Sequence, residues 1–327
     1  SLLNQNIDVR FGMALGKQVT LDGLLNDGYK AVYLATGSHQ SRRLDLPGED
    51  ADGVIPGMAF LKAFNLHGEE LARGNVGIIG GGNSAMDAAR VAFRQKGVRS
   101  VTMFYRRSRD EMPAYPEEIA AGLAEGIRIE ELVAPVGLDV RDGRLAGVRF
   151  IRNRLGEPDA SGRRSPVPVP GSEFAVPLDV LIVAISEEPE RDGTEGLKRT
   201  QWGTVAVNAE SSATSRPGVF AGGDAVTGPS TVIGAVAAGK NAAHMIDRYV
   251  KGKLLRTLPK VALPSVYVAP VQLPEEDEPP VERIHAPELP VEARRCSFAE
   301  VELCVSESAA VGEARRCLRC DLSFTQP

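Results

Sequence analysis

Aromatic residues are scarce: one Trp, six Tyr and ten Phe in 327 residues leave no evident platform on which bases would stack. There is no excess of positive charge either. Lys and Arg number 38 against 43 Asp and Glu, a net charge of -5, so no global field favours nucleic acid. No apolar run approaches the ~20 residues of a membrane span. The opening SLLNQNIDVR lacks the basic and apolar regions of a secretory signal, and a cytoplasmic location is expected. Histidine is limited to His39, His67, His244 and His285, scattered without metal-ligand spacing. All four cysteines lie in the last 32 residues, so the body of the chain is not stapled by disulfides. What remains is 43% hydrophobic and 25% charged, long enough for two ordinary domains.

The pattern along the chain is that of an α/β protein. TLDGLLNDG reads as a helical patch with Thr20 as its N-cap, and KAVYLATGS as a strand ending in Thr36-Gly37. From Asn75 the periodicity alternates: strand 76–79, helix 84–95, strand 100–105, helix 116–125, strand 127–132. That alternation argues for a parallel sheet with crossover helices. Asp142-Gly143 marks a hairpin, and PLDVLIVAIS is a buried strand that completes the sheet. GTVAVNAE and PGVFAGGDA read as strands, and TVIGAVAAGKNAAHMIDRYV as a long helix whose small residues suit close packing. A Pro-rich, acidic arm follows from about 253 to 290, then the cysteine tail.

One stretch carries chemistry. In NVGIIGGGNSAMDAAR, residues Gly80, Gly82 and Ala85 fit the G-x-G-x-x-G/A pattern directly after a strand and at the start of a helix. A pyrophosphate requires backbone approach. Gly80 permits a tight turn, Gly81 continues it, Gly82 removes a side chain, and the amides of Asn83 and Ser84 sit at the positive end of the helix. An acidic residue ending the next strand would hold the ribose 2'-hydroxyl of NAD, but MFYRRSRDE offers Arg106 and Arg107 instead. Their fork-shaped donors suit a 2'-phosphate, which favours NADPH; the alternative is a solvated basic rim. The acidic first turn Glu117-Glu118, like Glu111, carries no assigned chemistry, since carboxylates there suit the helix dipole.

Together, ATG at 35–37, GGGNSAMDAAR at 80–90, YRRSRDEMPA at 105–114 and GVFAGGDAVTGPSTVIGAVAAGKNAA at 218–243 resemble the glutamate synthase small subunit and related two-dinucleotide-fold flavin oxidoreductases, from the start to about residue 250. The resemblance implies an α/β fold in which a Rossmann-like NADPH-binding insert (75–187) interrupts a partial FAD-binding domain (1–74 and 188–252), with an extended tail (253–327). It implies that Thr36 and Gly37 lie where the chain crosses between domains. Asp224, after Gly223, would hydrogen-bond the flavin's ribityl chain. The helix starting near Thr231 and Val232 would point its amides at the flavin ring's carbonyl edge. It implies hydride transfer from NADPH to FAD, and electrons passed on to iron-sulfur centres in the parent protein or a partner, a glutamate synthase large-subunit-like protein or another electron acceptor. A homo-oligomer is possible, and no side chain need act as general acid or base.

Three departures qualify the resemblance. The family's FAD domain opens with its own glycine fingerprint, and none besides 80–85 is present, so FAD is expected to bind weakly or not at all. AISEEPE at 184–190 stands where relatives show Gly-Gln, so Ser186 and Glu187 are either a tuned site or a tolerated loop change. EARRCLRCDLSF resembles the opening of a cluster motif, yet Cys317 and Cys320 supply two thiolates where a cluster wants four, and free thiols are the leading reading. Three activities stay open: a glutamate-synthase-like reductase, an electron-transfer module for a ferredoxin-linked or other NAD(P)H oxidoreductase, and a nucleotide-binding module without turnover.

Overall fold

The structure is a computed structural model that describes residues 7–159, 162–256 and 283–315. In chain order the elements are α1 (Leu21–Asn26), β1 (Val32–Leu34), β2 (Gln40–Ser41), β3 (Val54–Pro56), α2 (Gly57–His67), β4 (Gly74–Ile79), α3 (Asn83–Phe93), β5 (Val98–Tyr105), α4 (Pro116–Glu125), β6 (Arg128–Glu131), β7 (Val133–Arg141), β8 (Arg144–Pro158), β9 (Arg164–Pro168), β10 (Phe174–Val176), β11 (Val180–Val183), β12 (Glu187–Glu188), β13 (Val219–Ala221), α5 (Asp224–Thr227), α6 (Val232–Val250), α7 (Val291–Arg294) and α8 (Glu307–Arg315). The chain divides into a unit ending at Thr257 and a smaller one from Leu258.

Five parallel strands in the order β3-β11-β4-β5-β6 form the main sheet of the first unit. Side chains alternate across β4, so Val76 and Ile78 face one side and Ile79 the other. The first side is covered by helices: Phe60 and Leu61 of α2, the alanines and Met86 of α3, and Ile119 of α4 share its core. Ala85, Ala88, Ala89 and Ala92 let α3 lie close to the strands. α4 starts with Pro116 at its first turn and ends on Gly126, whose left-handed φ of 104° closes the helix.

The other side is covered by strands rather than helices. β7, β8 and β10 form an antiparallel layer, to which β9 adds through β8. Phe104 of the main sheet stacks on Phe150 of this layer at 4.2 Å between ring centroids. The β7–β8 turn is the expected Asp142-Gly143, with φ of 50° and 75°, as a two-residue hairpin loop demands.

A second core lies on β1 and β13, which pair in parallel, with Leu21 of α1, Leu34, Leu197, Val205, Val219 and Ala221. Thr20 caps α1, accepting from the N–H of Gly23. β2 and β12 form a short antiparallel ribbon, Gln40 opposite Glu188 and Ser41 opposite Glu187.

Three expectations need correction. β3 and α2 precede residue 75 yet join the main sheet and its core, so that sheet draws on both sides of the expected boundary. GTVAVNAE is no strand: Val205 makes one bridge to Arg199 and donates to the carbonyl of Ala225. α6 forms as expected, capped by Thr231, but only its second half is packed. Ala242 and Met245 are buried while Val232 and Ile233 are each 78% exposed.

The smaller unit places α7 and α8 with a bridge between Glu288 and Glu302, and buried Arg294 donates to Glu288. Cys296 and Cys304 are exposed free thiols. Cys317, Cys320 and most of the Pro-rich arm lie outside the described residues. Among the described residues no helix is long and apolar enough to cross a membrane.

Candidate functional site

The glycine turn joins the end of β4 to the start of α3, and its three glycines exist for different reasons. Gly80 has a φ of 144°, and a Cβ there would run into the carbonyl oxygen of Ala184 at the end of β11. At Gly81 a Cβ would sit 2.6 Å from the ring of Tyr105. At Gly82 it would meet nothing closer than Pro113 Cγ at 3.9 Å. Protein packing therefore dictates the first two glycines and leaves the third without an internal cause. The open space over Gly82 fits a ligand that comes against the backbone.

Gly82 also caps α3. Its carbonyl accepts from the N–H groups of Ala85 and Met86, and, lacking a side chain, it gives the first amides no side-chain cap. The amides of Asn83 and Ser84, like the first donors of any helix, have no intrahelical acceptor. Eleven residues of helix dipole stand behind them. Open space, free-standing amides and partial positive charge together suit a pyrophosphate. Ala85, the third position of the pattern, is fully buried against the sheet.

Residues 106–115 fold over this turn, which the sequence did not reveal. The N–H of Ala114 donates to the carbonyl of Gly81 at 3.1 Å, and that of Tyr115 to Asn83 Oδ1 at 3.0 Å. Tyr105 anchors the same loop through its hydroxyl, which donates to the carbonyl of Glu111 at 2.9 Å. The side chain of Asn83 is thus engaged in holding the loop, and its contribution to a ligand is its amide.

The two arginines at the end of β5 part company. Arg106 is exposed, and its guanidinium is held below its ordinary value by desolvation and by the charges of Arg107 and Arg163; it stays charged at any working pH. Arg107 is only 3% exposed. Its Nε donates to the carbonyl of Arg164 at 2.6 Å and its Nη2 to the Asp159 carboxylate at 2.6 Å. Arg107 therefore does not present its fork to a 2'-phosphate, because a buried guanidinium needs its carboxylate partner. Of the pair, Arg106 alone is presented.

A second constellation forms on the smaller core. The hydroxyl of buried Ser38 donates to the carbonyl of Asp224 at 2.9 Å, and the N–H of Gly222 to the carbonyl of Leu34. These bonds bring the loop of Thr36 and Gly37 beside the GGD turn, although 186 residues separate Ser38 from Asp224. Gly223, with φ of 62°, would place a Cβ 3.4 Å from Ala235 of α6, so the start of that helix belongs to the same group. Thr231 Oγ1 accepts from the N–H of Gly234 and leaves the first amides of α6 beside exposed Val232. Ser186 and Glu187 lie in the ribbon: the carbonyl of Ser186 accepts from Arg42, and Glu187 pairs with Ser41. Among the described residues no three His, Cys, Asp or Glu side chains gather for a metal.

Comparison with known proteins gives a consistent picture. Residues 3–239 match the family described as pyridine nucleotide-disulphide oxidoreductase. The chain is 41% identical over 326 residues to the NADP(+)-dependent formate dehydrogenase subunit beta of Moorella thermoacetica, across 96% of this chain and 45% of that protein. It is 37% identical over 265 residues to the glutamate synthase [NADPH] small chain of Escherichia coli K12, across 75% of this chain and 55% of that one. The chain thus spans about half the length of these curated relatives. The fold resembles that of Mycobacterium tuberculosis FprA in complex with NADPH, with a TM-score of 0.62 at 19% identity, over 73% of this chain and 67% of that one.

Proposed function

The chain belongs to the pyridine nucleotide-disulphide oxidoreductase family, and from that membership we propose that it is the NADPH-docking part of a flavin oxidoreductase, passing hydride from NADPH to FAD and electrons on to the iron-sulfur centres of a partner. The observation that carries the reading is the space over Gly82 at the open end of α3, with Arg106 exposed at the end of the next strand. NADPH and FAD, when bound, supply the redox chemistry. The chain's own residues bind and orient. The turn from Gly80 to Ser84 holds the pyrophosphate, Arg106 reads the 2'-phosphate, and the loop tied down by Ala114 and Tyr115 shields the turn.

The group formed by Thr36, Gly37, Gly223, Asp224, Thr231 and Val232 is assigned to FAD. The Ser38–Asp224 bond supports this assignment by drawing distant motifs into one place. Among the described residues the sheet beneath it has only β1 and β13, fewer strands than a dinucleotide fold uses, and this stretch by itself is expected to hold FAD weakly.

The terminal acceptor has two candidate readings. A glutamate-synthase-like partner is one. The other is a dehydrogenase complex, favoured by the extent of likeness. The formate dehydrogenase beta subunit matches 96% of this chain, the glutamate synthase small chain 75%.

Thermal melting with NADPH and NADH tests the docking reading. A ligand at 100 times its dissociation constant stabilises the native state by about 2.7 kcal/mol. NADPH is expected to raise Tm more than NADH, and Arg106→Ala to abolish the difference. Equal protection by both, or by neither, overturns it.

A further inference from the structure

We infer that Glu187 is a specificity-determining residue for the nicotinamide end of NADPH, accepting from the N–H donors of its carboxamide and rejecting a carboxylate in that place. This rests on the NADPH reading above and deepens it.

The strand order sets the direction in which a dinucleotide runs. All five strands of the main sheet are parallel, so their carboxyl ends share one edge. From β4 the chain crosses to β5 through α3 on one face. It enters β11, on the other side of β4, from the antiparallel layer on the opposite face. The connections part between β4 and β11, and a ligand of such a sheet lies in the crevice outside the carboxyl ends at that point. Arg106 follows the end of β5, and the glycine turn follows the end of β4. A dinucleotide whose 2'-phosphate meets the first and whose pyrophosphate meets the second brings its other half to the end of β11.

That end is built tightly against the turn. Ala184 donates its N–H to the carbonyl of Ile79 at 2.8 Å, and its own carbonyl oxygen fills the place of a Cβ on Gly80. On the other flank, a Cβ on Gly57, the first residue of α2, would lie 3.0 Å from the Cβ of Ala184. The buried run of β11 and Ala184 then gives way to Ile185, which is 40% exposed, and the chain turns into β12.

The β2–β12 ribbon fixes which way Glu187 faces. Residues directly opposite in an antiparallel pair share a face, and successive residues alternate. Glu187 is opposite Ser41. Ser41 Oγ accepts from the N–H of Met58 at 3.1 Å, in the first turn of α2, so this face of the ribbon is turned to the start of α2, where Gly57 meets Ala184. Glu188 takes the other face, its carboxylate 3.7 Å from Arg42 Nε. Among the described residues the half-buried carboxylate of Glu187 has no hydrogen bond or ion pair. A carboxylate partly withdrawn from water without a partner is costly, and a donor on a ligand offsets that cost. The ribbon also begins two residues after Ser38, whose hydroxyl donates to the carbonyl of Asp224 in the group assigned to FAD. It therefore reaches both constellations, and the half of NADPH that gives up hydride belongs between them. A carboxamide brings an NH2 with two donors to a carboxylate acceptor, whereas a carboxylate there meets like charge.

The test is titration of the full chain with NADP+ and with nicotinic acid adenine dinucleotide phosphate, which differ only in a carboxamide or a carboxylate on the pyridinium ring. Adenosine 2',5'-bisphosphate, which lacks the pyridinium half, is the reference and reports an intact fold. The unsubstituted chain is expected to bind NADP+ roughly tenfold more tightly than the acid. Glu187→Gln is expected to bring the two within about threefold of each other and to leave the bisphosphate unchanged. Glu188→Gln, on the other face, is expected to keep the preference. If the unsubstituted chain shows no preference, if Glu187→Gln keeps it, or if Glu188→Gln loses it equally, the inference falls while binding of the bisphosphate leaves the NADPH reading standing. If the unsubstituted chain does not bind the bisphosphate, both fall.

Discussion

Gly80 and Gly82 are two letters apart and identical in sequence, yet the structure needs each for a different partner. Gly80→Ala forces a side chain onto a left-handed backbone and against the carbonyl of Ala184, and is expected to lower stability by at least ~1 kcal/mol. Gly82→Ala is expected to cost less stability than Gly80→Ala, about 0.5 kcal/mol for alanine at the N-cap of α3, and to weaken NADPH binding, because its Cβ meets only the ligand's space. Melting curves and an NADPH titration on both variants check this; equal behaviour would remove the distinction. Arg106 and Arg107 are a similar case. The sequence presents a matched pair, and burial turns one of them into a strut.

Glu125 belongs to the same scale. Fully buried in α4, it meets Arg90 and Arg94 of α3 at 2.8 and 2.9 Å. Desolvation pushes its carboxyl up, and hydrogen bonds from the two arginines outweigh that, so its pKa is lowered. A depressed pKa contributes stability that is complete above the unfolded value of about 4.3 and lost as pH falls through the folded one. Glu125→Gln is expected to cost about 3 kcal/mol at pH 7. It is also expected to flatten the loss of stability seen in the unsubstituted protein below pH 4, by denaturant titration across that range.

Among elements, those with a long period or a distinct turn were legible. α4 could be read to its last residue from Pro116 and Gly126, and the β7–β8 hairpin from Asp142-Gly143. β2, β3 and β12, two or three residues each, are too short to carry a period, and their neighbours alone make them strands. GTVAVNAE alternates like a strand, but its N–H groups at 205 and 206 are taken by Ala225 and Lys198 rather than by a ladder. In α6 the sequence gives the small-residue stripe but not what covers it. Thr231→Ala is expected to lower stability by about 1 kcal/mol through the lost cap. NADPH protection should be untouched, since Thr231 stands in the group beside Gly223 and not at the glycine turn; a lost NADPH response would count against that separation.

For the molecule as a whole, the alternation of strands and helices from residue 75 announced a parallel sheet, and the sheet is there. Its second face was not legible, because an antiparallel layer and a helical layer both bury apolar residues, and periodicity does not say against what. Nor was the loop over the glycine turn, whose ties run through backbone groups that every sequence possesses. If the chain docks NADPH while holding FAD weakly, added FAD is expected to be required before NADPH reduces an artificial acceptor at an appreciable rate. A spectrophotometric assay with and without FAD checks this.

The place of β11 in the sheet has a consequence for how the protein is made. The nucleotide motif is complete in the nascent chain once Arg90 has emerged, but Gly80 rests against Ala184, and β4 is flanked on that side by residues 180–183. At about 5–20 residues per second, the ribosome delivers that neighbour roughly 5–20 s later. During that interval the motif exists as letters without being a site. Any natural truncation or nick between the two would leave a product that carries the intact fingerprint and lacks the strand its turn leans on.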